Sequence, residues 1–381
     1  MSEIVRKNLV KFAPKGKDSF YDVLKIRVND YFKTNNITPY SNTKMHIKTL
    51  VMLSLYFVPY FIIVTHAAST FFALSPILYY LLWVIMGFGI VGIGTSIMHD
   101  SNHGSYSKNR TVNRLLGYVL NLIGGYSLNW KIQHNVLHHT YTNLEGLDED
   151  IDAGPLRMTP DKAWKKYYRY QHIYAWFLYC LMNLYWITAK DYVLIFRYHK
   201  SDLLQNQKTN LRKALIHVTF LKALYFTTTL IVPILFSGIV WYHVLLGLII
   251  MHVIAGFSLA AIFQPAHVVE SSEFPHPSET RRIQNNWAVH QILNTADFAP
   301  NNKLICWYIG GLNFQIEHHL FPHICHIHYP EIAKIVQKVA KEYNLPYTVF
   351  PTFRSAVKAH GKMLWLLGNN ENLPGHLNKT S

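Results

Sequence analysis

Apolar residues dominate two long windows, 49–107 and 223–280, and neither contains a lysine or an arginine. Each is long enough for two helices of the ~20 residues that cross a bilayer, joined by a short uncharged link. The pattern predicts two transmembrane hairpins, 50–72 with 76–97 and 215–236 with 242–264. Their links, near Ser75 and Gly238, face outside. The third span starts ahead of its window and takes in Lys222, which is expected to snorkel from near the helix end. The basic segments 1–48, 108–222 and 281–381 then share the cytoplasmic side, where Lys and Arg are in excess.

Two weaker apolar runs test this topology. The run 172–189 is aromatic-rich and short between Arg169 and Lys190, so it reads as a helix lying at the interface, where Tyr and Trp are favoured. The run 113–130 reads the same way, because Gly124, Gly125 and its asparagines disfavour a clean span. Half of the 381 residues are apolar and only 15% are charged, below the ~25% of soluble domains. The formal net charge of +15 is accounted for by cytoplasmic segments and needs no nucleic-acid partner. The first 48 residues are polar and basic, unlike a secretory leader. Cys180, Cys306 and Cys325 show neither a paired framework nor zinc spacing, which fits a reducing compartment. The expectation is an all-α membrane protein with one catalytic domain over 46–350. A cytosolic N-terminal segment, 1–45, and a cytosolic tail, 351–381, are expected to be looser.

Histidine spacing supplies the chemistry. The second span runs into "HDSNH", where His99 and His103 share a helical face at i, i+4. In "HNVLHH", His134 and His138 do the same and His139 projects beside them. His267 lies one short turn past the fourth apolar run, and "QIEHH" aligns Gln315 with His318 and His319. Taken singly, an HxxxH pair is usually a solvated or capped helix end, and a histidine after a span is usually an interfacial anchor. On the four-span topology, however, all eight emerge at one membrane face. Neutral imidazole ligates iron, zinc or copper, and eight of them plus one amide suffice for two metals with open positions left for oxygen. His66, His217, His243 and His252 lack such partners and are read as helix-packing hydrogen-bond groups. His323, His326 and His328 either orient ligands or pack. The acidic run with Asp148, Glu149, Asp150 and Asp152 is read as a solvated loop, leaving Asp100 and Glu317 as the better-placed acceptors for ligand imidazoles.

The three ordered boxes resemble those of the membrane-bound fatty-acid desaturases over about 45–350, and the glutamine opening the third box resembles the front-end, linoleoyl-CoA desaturase-like subgroup. The resemblance implies four spans with a cytosolic helical cap carrying a di-iron site. It implies two non-haem iron ions, O2 as co-substrate, and a cis double bond placed between an existing one and the carboxyl end. The implied ligands are His99, His103, His134, His138, His139, His267, His318 and His319, with Gln315 as a ligand or a holder of bound water. Some relatives carry an asparagine four residues before the histidine that ends the fourth span; here Phe263 stands there, with Gln264 beside it. The HPGG haem signature of fused cytochrome b5 domains is absent from this sequence. Electrons are therefore expected from a separate carrier of cytochrome b5 or ferredoxin type, steered to a basic surface.

Removing hydrogen from an unactivated methylene exceeds what side-chain acids and bases do, so a redox metal with oxygen is required and zinc is disfavoured. A narrow apolar tunnel under the histidines is expected to select the carbon pair, with Trp130 and Tyr141 as candidate lining or ordinary core. The acyl substrate is linked to CoA, a carrier protein or a membrane lipid; the residues do not choose between these. The expected location is a bacterial inner membrane or the endoplasmic reticulum, with the site facing the cytoplasm. Rival readings are a hydroxylase on the same scaffold and, from another class, a metal transporter or zinc-bearing receptor. A transporter would place polar ligands near mid-bilayer rather than beyond the span ends.

Overall fold

The computed structural model describes residues 10–14, 16, 19–152, 154–275 and 281–370. Within them, α1 (Phe20–Thr34) is followed by four helices long and apolar enough to cross a membrane, numbered here with the shorter ones around them. These are α2 (Thr43–Ile63), α3 (Pro76–His103), α5 (Leu211–Phe236) and α6 (Trp241–His267), with α4 (Gln171–Tyr185) between the two pairs. Beyond them come α7 (Trp287–Asn294), α8 (Gln315–Leu320), α9 (Tyr329–Glu342) and α10 (Phe353–Asn369). Strand structure among the described residues is confined to two short parallel pairs, Lys11–Phe12 with Arg282–Ile283 and Asp297–Phe298 with Val349–Phe350.

The four long apolar helices occupy the expected windows with shifted ends. Asn42 caps α2 by accepting the Met45 amide, seven residues ahead of the window without Lys or Arg. The helix stops at Ile63 rather than near 72, because the Thr65 hydroxyl turns back onto the Ile62 carbonyl and offers the backbone a local alternative. A separate helix, Ala67–Leu74, covers the remainder. Ser75 then caps α3 with Pro76 as its first residue. That helix does not end at 97. It continues through a π-helical stretch, Ile93–Ile97, to His103 and is stopped by Gly104 at φ +76°.

Close backbone approach holds these helices together. A Cβ on Gly87 would stand 2.8 Å from the Met251 carbonyl oxygen, and one on Gly89 would stand 2.8 Å from the Tyr56 nitrogen. α3 is thus gripped between α2 and α6, and a larger residue at either glycine would push them apart. Three of the scattered histidines do serve packing. His217 meets Tyr126, His243 meets Tyr80, and His252 joins Asn183 to Tyr225.

The run expected at the interface forms α4, which packs along α6 and is not among the helices apolar enough to cross. It continues through a π-helical turn, Trp186–Lys190, into Asp191–Lys200. Run 113–130 breaks into three short helices, none of them a span.

Lys222 does not snorkel: it is buried, 2.6 Å from an Asp191 carboxylate oxygen, and also donates to the Gly124 and Trp186 carbonyls. Asp191 neutralises it, so its charge need not reach water. Within the two end segments, α1 and α10 are both packed against the rest of the chain. Phe20, Leu24 and Val28 of α1 pack into one apolar cluster with Ile332 and Val336 of α9. Met363, Leu364 and Leu367 of α10 join Ala175 and Tyr179 of α4 in another. Both helices have an apolar face that needs burying, which sequence position alone does not reveal.

Candidate metal centre

Box one sits on the last turns of α3, one turn beyond the π-helical stretch. Box two lies in Lys131–His138, itself a π-helix, followed by the turn His139–Tyr141. Winding more residues into each turn brings positions i+4 and i+5 to either side of one direction, so His134 faces the same space as both His138 and His139. His267 is the last residue of α6, and the third box is α8.

These pieces converge. His99, His103, His134 and His318 place ligand nitrogens within 4.8 Å of one another, and His138, His267 and His319 do the same. His139 groups with His318 and His319, between the two sets. All eight expected histidines thus meet in one place, in two adjoining groups.

Their chemistry fits metal ions. The Nε2 atoms of His103, His267, His318 and His319 are buried with no hydrogen-bond partner, an arrangement that costs ~1–3 kcal/mol for each atom left unsatisfied. Nε2 of His134 faces Nε2 of His99 at 3.2 Å and Nε2 of His139 at 3.3 Å. Converging lone pairs repel unless a cation lies between them. Burial, then repulsion from neighbouring imidazoles, holds His139, His318 and His319 well below the ordinary histidine value. Burial also brings His134 down to about 3 against the pull of Asp150. Neutral imidazole is the form that ligates metal. His138 differs: burial lowers it, but Asp148 and Asp150 outweigh burial and raise it to about 9. With its Nδ1–H held by Asp148, a metal ion would bind at Nε2 by displacing the proton there.

The second ring nitrogens have acceptors that the sequence reading mostly missed. The acidic run is not a solvated loop. Asp148 is buried and accepts from His138 Nδ1 at 3.0 Å, while Asp150 lies 3.3 Å from His134 Nδ1 and also accepts from Gln133. His319 Nδ1 donates to Gln291 Oε1 at 2.8 Å, and His318 Nδ1 lies 3.3 Å from the Tyr329 hydroxyl. His267 Nδ1 points at the Asn294 carbonyl at 3.4 Å. Gln291 and Asn294 share α7, a short helix whose polar residues among apolar ones were the available signal. Asp100 meets the expectation only in part: it lies 3.8 Å from His99 Nδ1, beyond hydrogen-bond distance, and accepts instead from His326 Nδ1 at 2.8 Å. Glu317 does not. It meets Tyr347, which also donates to Asp297, so it braces α8 instead of an imidazole. Of the other box-three neighbours, His326 acts through Asp100 and accepts from Lys48, while His328 bonds the Tyr40 carbonyl. Gln315 is buried at the start of α8, its Nε2 donating to the Leu312 carbonyl at 2.8 Å.

A cavity of about 550 Å³, within the usual range for small-molecule sites, has His99, His134, His138 and His267 in its wall. Most of the remaining wall is apolar, with Ile90, Met98, Leu120, Ile123, Leu259 and Met182 in it, and the charged Glu149, Asp150, Asp152, Lys190 and Arg197 line it as well. Trp130 lines it, as do Phe263 and Gln264, the latter donating to the Asp150 carbonyl. Tyr141 does not; it packs with Val10, Leu144 and Ile283.

Comparison with known proteins agrees with this geometry. The chain is 39% identical to a sn-1 linoleoyl-lipid 6-desaturase of Arthrospira platensis, over 90% of each chain. It is 34% identical to a sn-1 linoleoyl-lipid 6-desaturase of Synechocystis sp., over 94% of this chain and 98% of that one. It is 36% identical to an acyl-lipid (8-3)-desaturase of Physcomitrium patens, over 96% of this chain and 75% of that one. The family model for fatty acid desaturase matches residues 75–351, a span that holds all three boxes and His267, and the chain belongs to the fatty acid desaturase family.

Proposed function

We propose that this desaturase places a cis double bond on the carboxyl side of an existing one in a glycerolipid-linked acyl chain. The single observation that carries the reading is the meeting of eight imidazoles beside a largely apolar cavity, four of them in its wall. The glycerolipid form rests on the relatives, which are named for lipid-linked acyl chains. Two non-haem irons would be held by His99, His103, His134 and His318 on one side and His138, His267 and His319 on the other, with His139 between. Gln315 then serves as a holder of bound water or a reserve ligand beside box three.

In the net reaction the chain gives up two hydrogens, O2 leaves as two waters, and a donor supplies two electrons with two protons from solvent. Bound iron supplies the oxygen and one-electron chemistry that no side chain offers. The rest is the work of the protein. Ile90, Met98, Leu120 and Leu259 surround the chain and exclude water, so the carbon pair beside the histidine wall is fixed by packing. Asp148, Asp150 and Gln291 take the second ring protons and keep each imidazole's other nitrogen turned inward.

In this reading 46–350 is the catalytic domain, with the four helices as two hairpins and the histidine face on the cytoplasmic side. Segments 1–45 and 351–381 lie on that side as well. Electrons arrive from a separate cytochrome b5- or ferredoxin-type carrier. The test is expression in a host supplied with defined fatty acids, with new double bonds located by mass spectrometry and iron measured on the purified chain. A hydroxylated product, or one zinc per chain without oxygen consumption, overturns the reading.

A further inference from the structure

An apolar tunnel cannot by itself count carbons from the carboxyl end, because each methylene resembles the next and one is worth only ~10–200-fold in discrimination. A polar anchor at the tunnel mouth supplies the missing register. The cavity has such a mouth. Its exposed lining residues include Leu181 and Tyr185 of α4, and two cations, Lys190 and Arg197, line it with the carboxylates of Glu149, Asp150 and Asp152. Arg197 is committed, 3.0 Å from Glu149 and 3.2 Å from Asp152. Lys190 is not: among the described residues it forms no ion pair, and its ammonium rests over the Trp186 ring at 5.1 Å. Trp186 lines the cavity too, so the ammonium is parked at the wall of the acyl tunnel.

The approach to this mouth is apolar. Ile173, Phe177, Leu181 and Tyr185 follow one another at i, i+4 along α4, and the first two are each 64% exposed. Such a stripe, on a helix packed against a membrane span, is covered by lipid, which puts the mouth where a bilayer acyl chain reaches it without passing through water.

We propose that Lys190 registers the substrate: its ammonium donates to the ester carbonyl oxygen of a membrane glycerolipid whose acyl chain enters past Leu181 and Tyr185. Lys190 is a positioning residue here, and this assignment rests on the desaturase reading above. An ammonium with three donors on a flexible stem exchanges its place over the indole for a carbonyl oxygen without leaving a buried charge unpaired.

The test uses full-length wild type, K190M, K190R and the surface control K334M in one host, with product double bonds located by mass spectrometry. K190M is expected to lose about tenfold to a hundredfold in kcat/KM and to spread the double bond over neighbouring positions. K190R, which keeps a cationic donor, and K334M are expected to retain the wild-type position. K190Q keeps a donor without the reach and is expected to show the same spread, so it decides the matter if K190M does not accumulate. Unchanged position and kcat/KM within about twofold in both K190M and K190Q overturn the proposal. A second arm needs no turnover: wild type and K190M in nanodiscs carrying a glycerolipid with a diazirine near its ester are irradiated and digested. A cross-link in the peptide around Tyr185 and Trp186 that K190M loses supports the anchor; equal cross-linking overturns it. If the wild type forms no double bond the desaturase reading falls, and the cross-link still decides Lys190. Faster conversion of soluble acyl-CoA than of nanodisc lipid overturns the glycerolipid assignment.

Discussion

Replacing Asp148 by asparagine tests whether the buried acidic run holds the metal centre together. The Asp148 carboxylate lies 3.0 and 3.1 Å from His138 Nδ1 and also accepts the backbone amides of Asn143 at 2.9 Å and Asp150 at 3.0 Å. Asparagine keeps one acceptor oxygen but turns an NH2 towards these donors, so at least one buried N–H loses its partner. That costs ~1–3 kcal/mol. The freed imidazole also loses the acceptor that fixes its tautomer and orientation, which ordinarily weakens metal binding ~10–100-fold. The assay is iron content of purified D148N across a chelator series, run beside desaturation turnover and against the surface control E331Q. D148N is expected to release iron at roughly ten- to a hundredfold lower chelator and to lose turnover in parallel. Iron retention and turnover equal to wild type would refute the role given to this carboxylate, and with it the claim that loop 142–150 is part of the site.

Other outcomes follow from the same geometry. H138A or H318A is expected to abolish turnover while most of the protein stays folded in the membrane; retained double-bond formation in either counts against that ligand. K222M leaves Asp191 buried without its cation and is expected to cost ~3–5 kcal/mol, read as a fall in detergent half-life, whereas K222M with D191L recovers most of it. His360, buried between the Tyr179 hydroxyl and the Val268 carbonyl, is lowered by burial from 6.5 to about 4. The unfolded chain takes up that proton below pH 6.5 while the folded one does not, so this contribution is complete above pH 6.5. It is lost as pH falls towards 4, by about 3 kcal/mol, and H360Q is expected to flatten that part of the stability profile.

Much of this architecture is legible in the chain. The absence of Lys and Arg from 49–107 and 223–280 locates the four long helices, and i, i+4 spacing locates the histidines that meet. Helix ends were less legible. The stop at Ile63 depends on one hydroxyl, and the run-on of α3 to His103 depends on a π-helical stretch with no strong local signature. Lys222 was misjudged because a lone cation in an apolar run looks the same whether it faces water or an aspartate on another helix.

Span length and ligand spacing are set by neighbours within a turn or two, so they are written locally and can be read from the residues in order. The acceptor that each imidazole's second nitrogen finds is another matter: Asp148 lies 10 residues from His138, Gln291 lies 28 from His319, and Asp100 lies 226 from His326. The cavity between them, and the uncommitted lysine at its mouth, likewise exist only once α4, α6 and residues 149–152 have packed together. Burial makes an unpaired polar atom costly, so packing and hydrogen bonding settle those partners jointly, and no stretch of chain carries that choice alone.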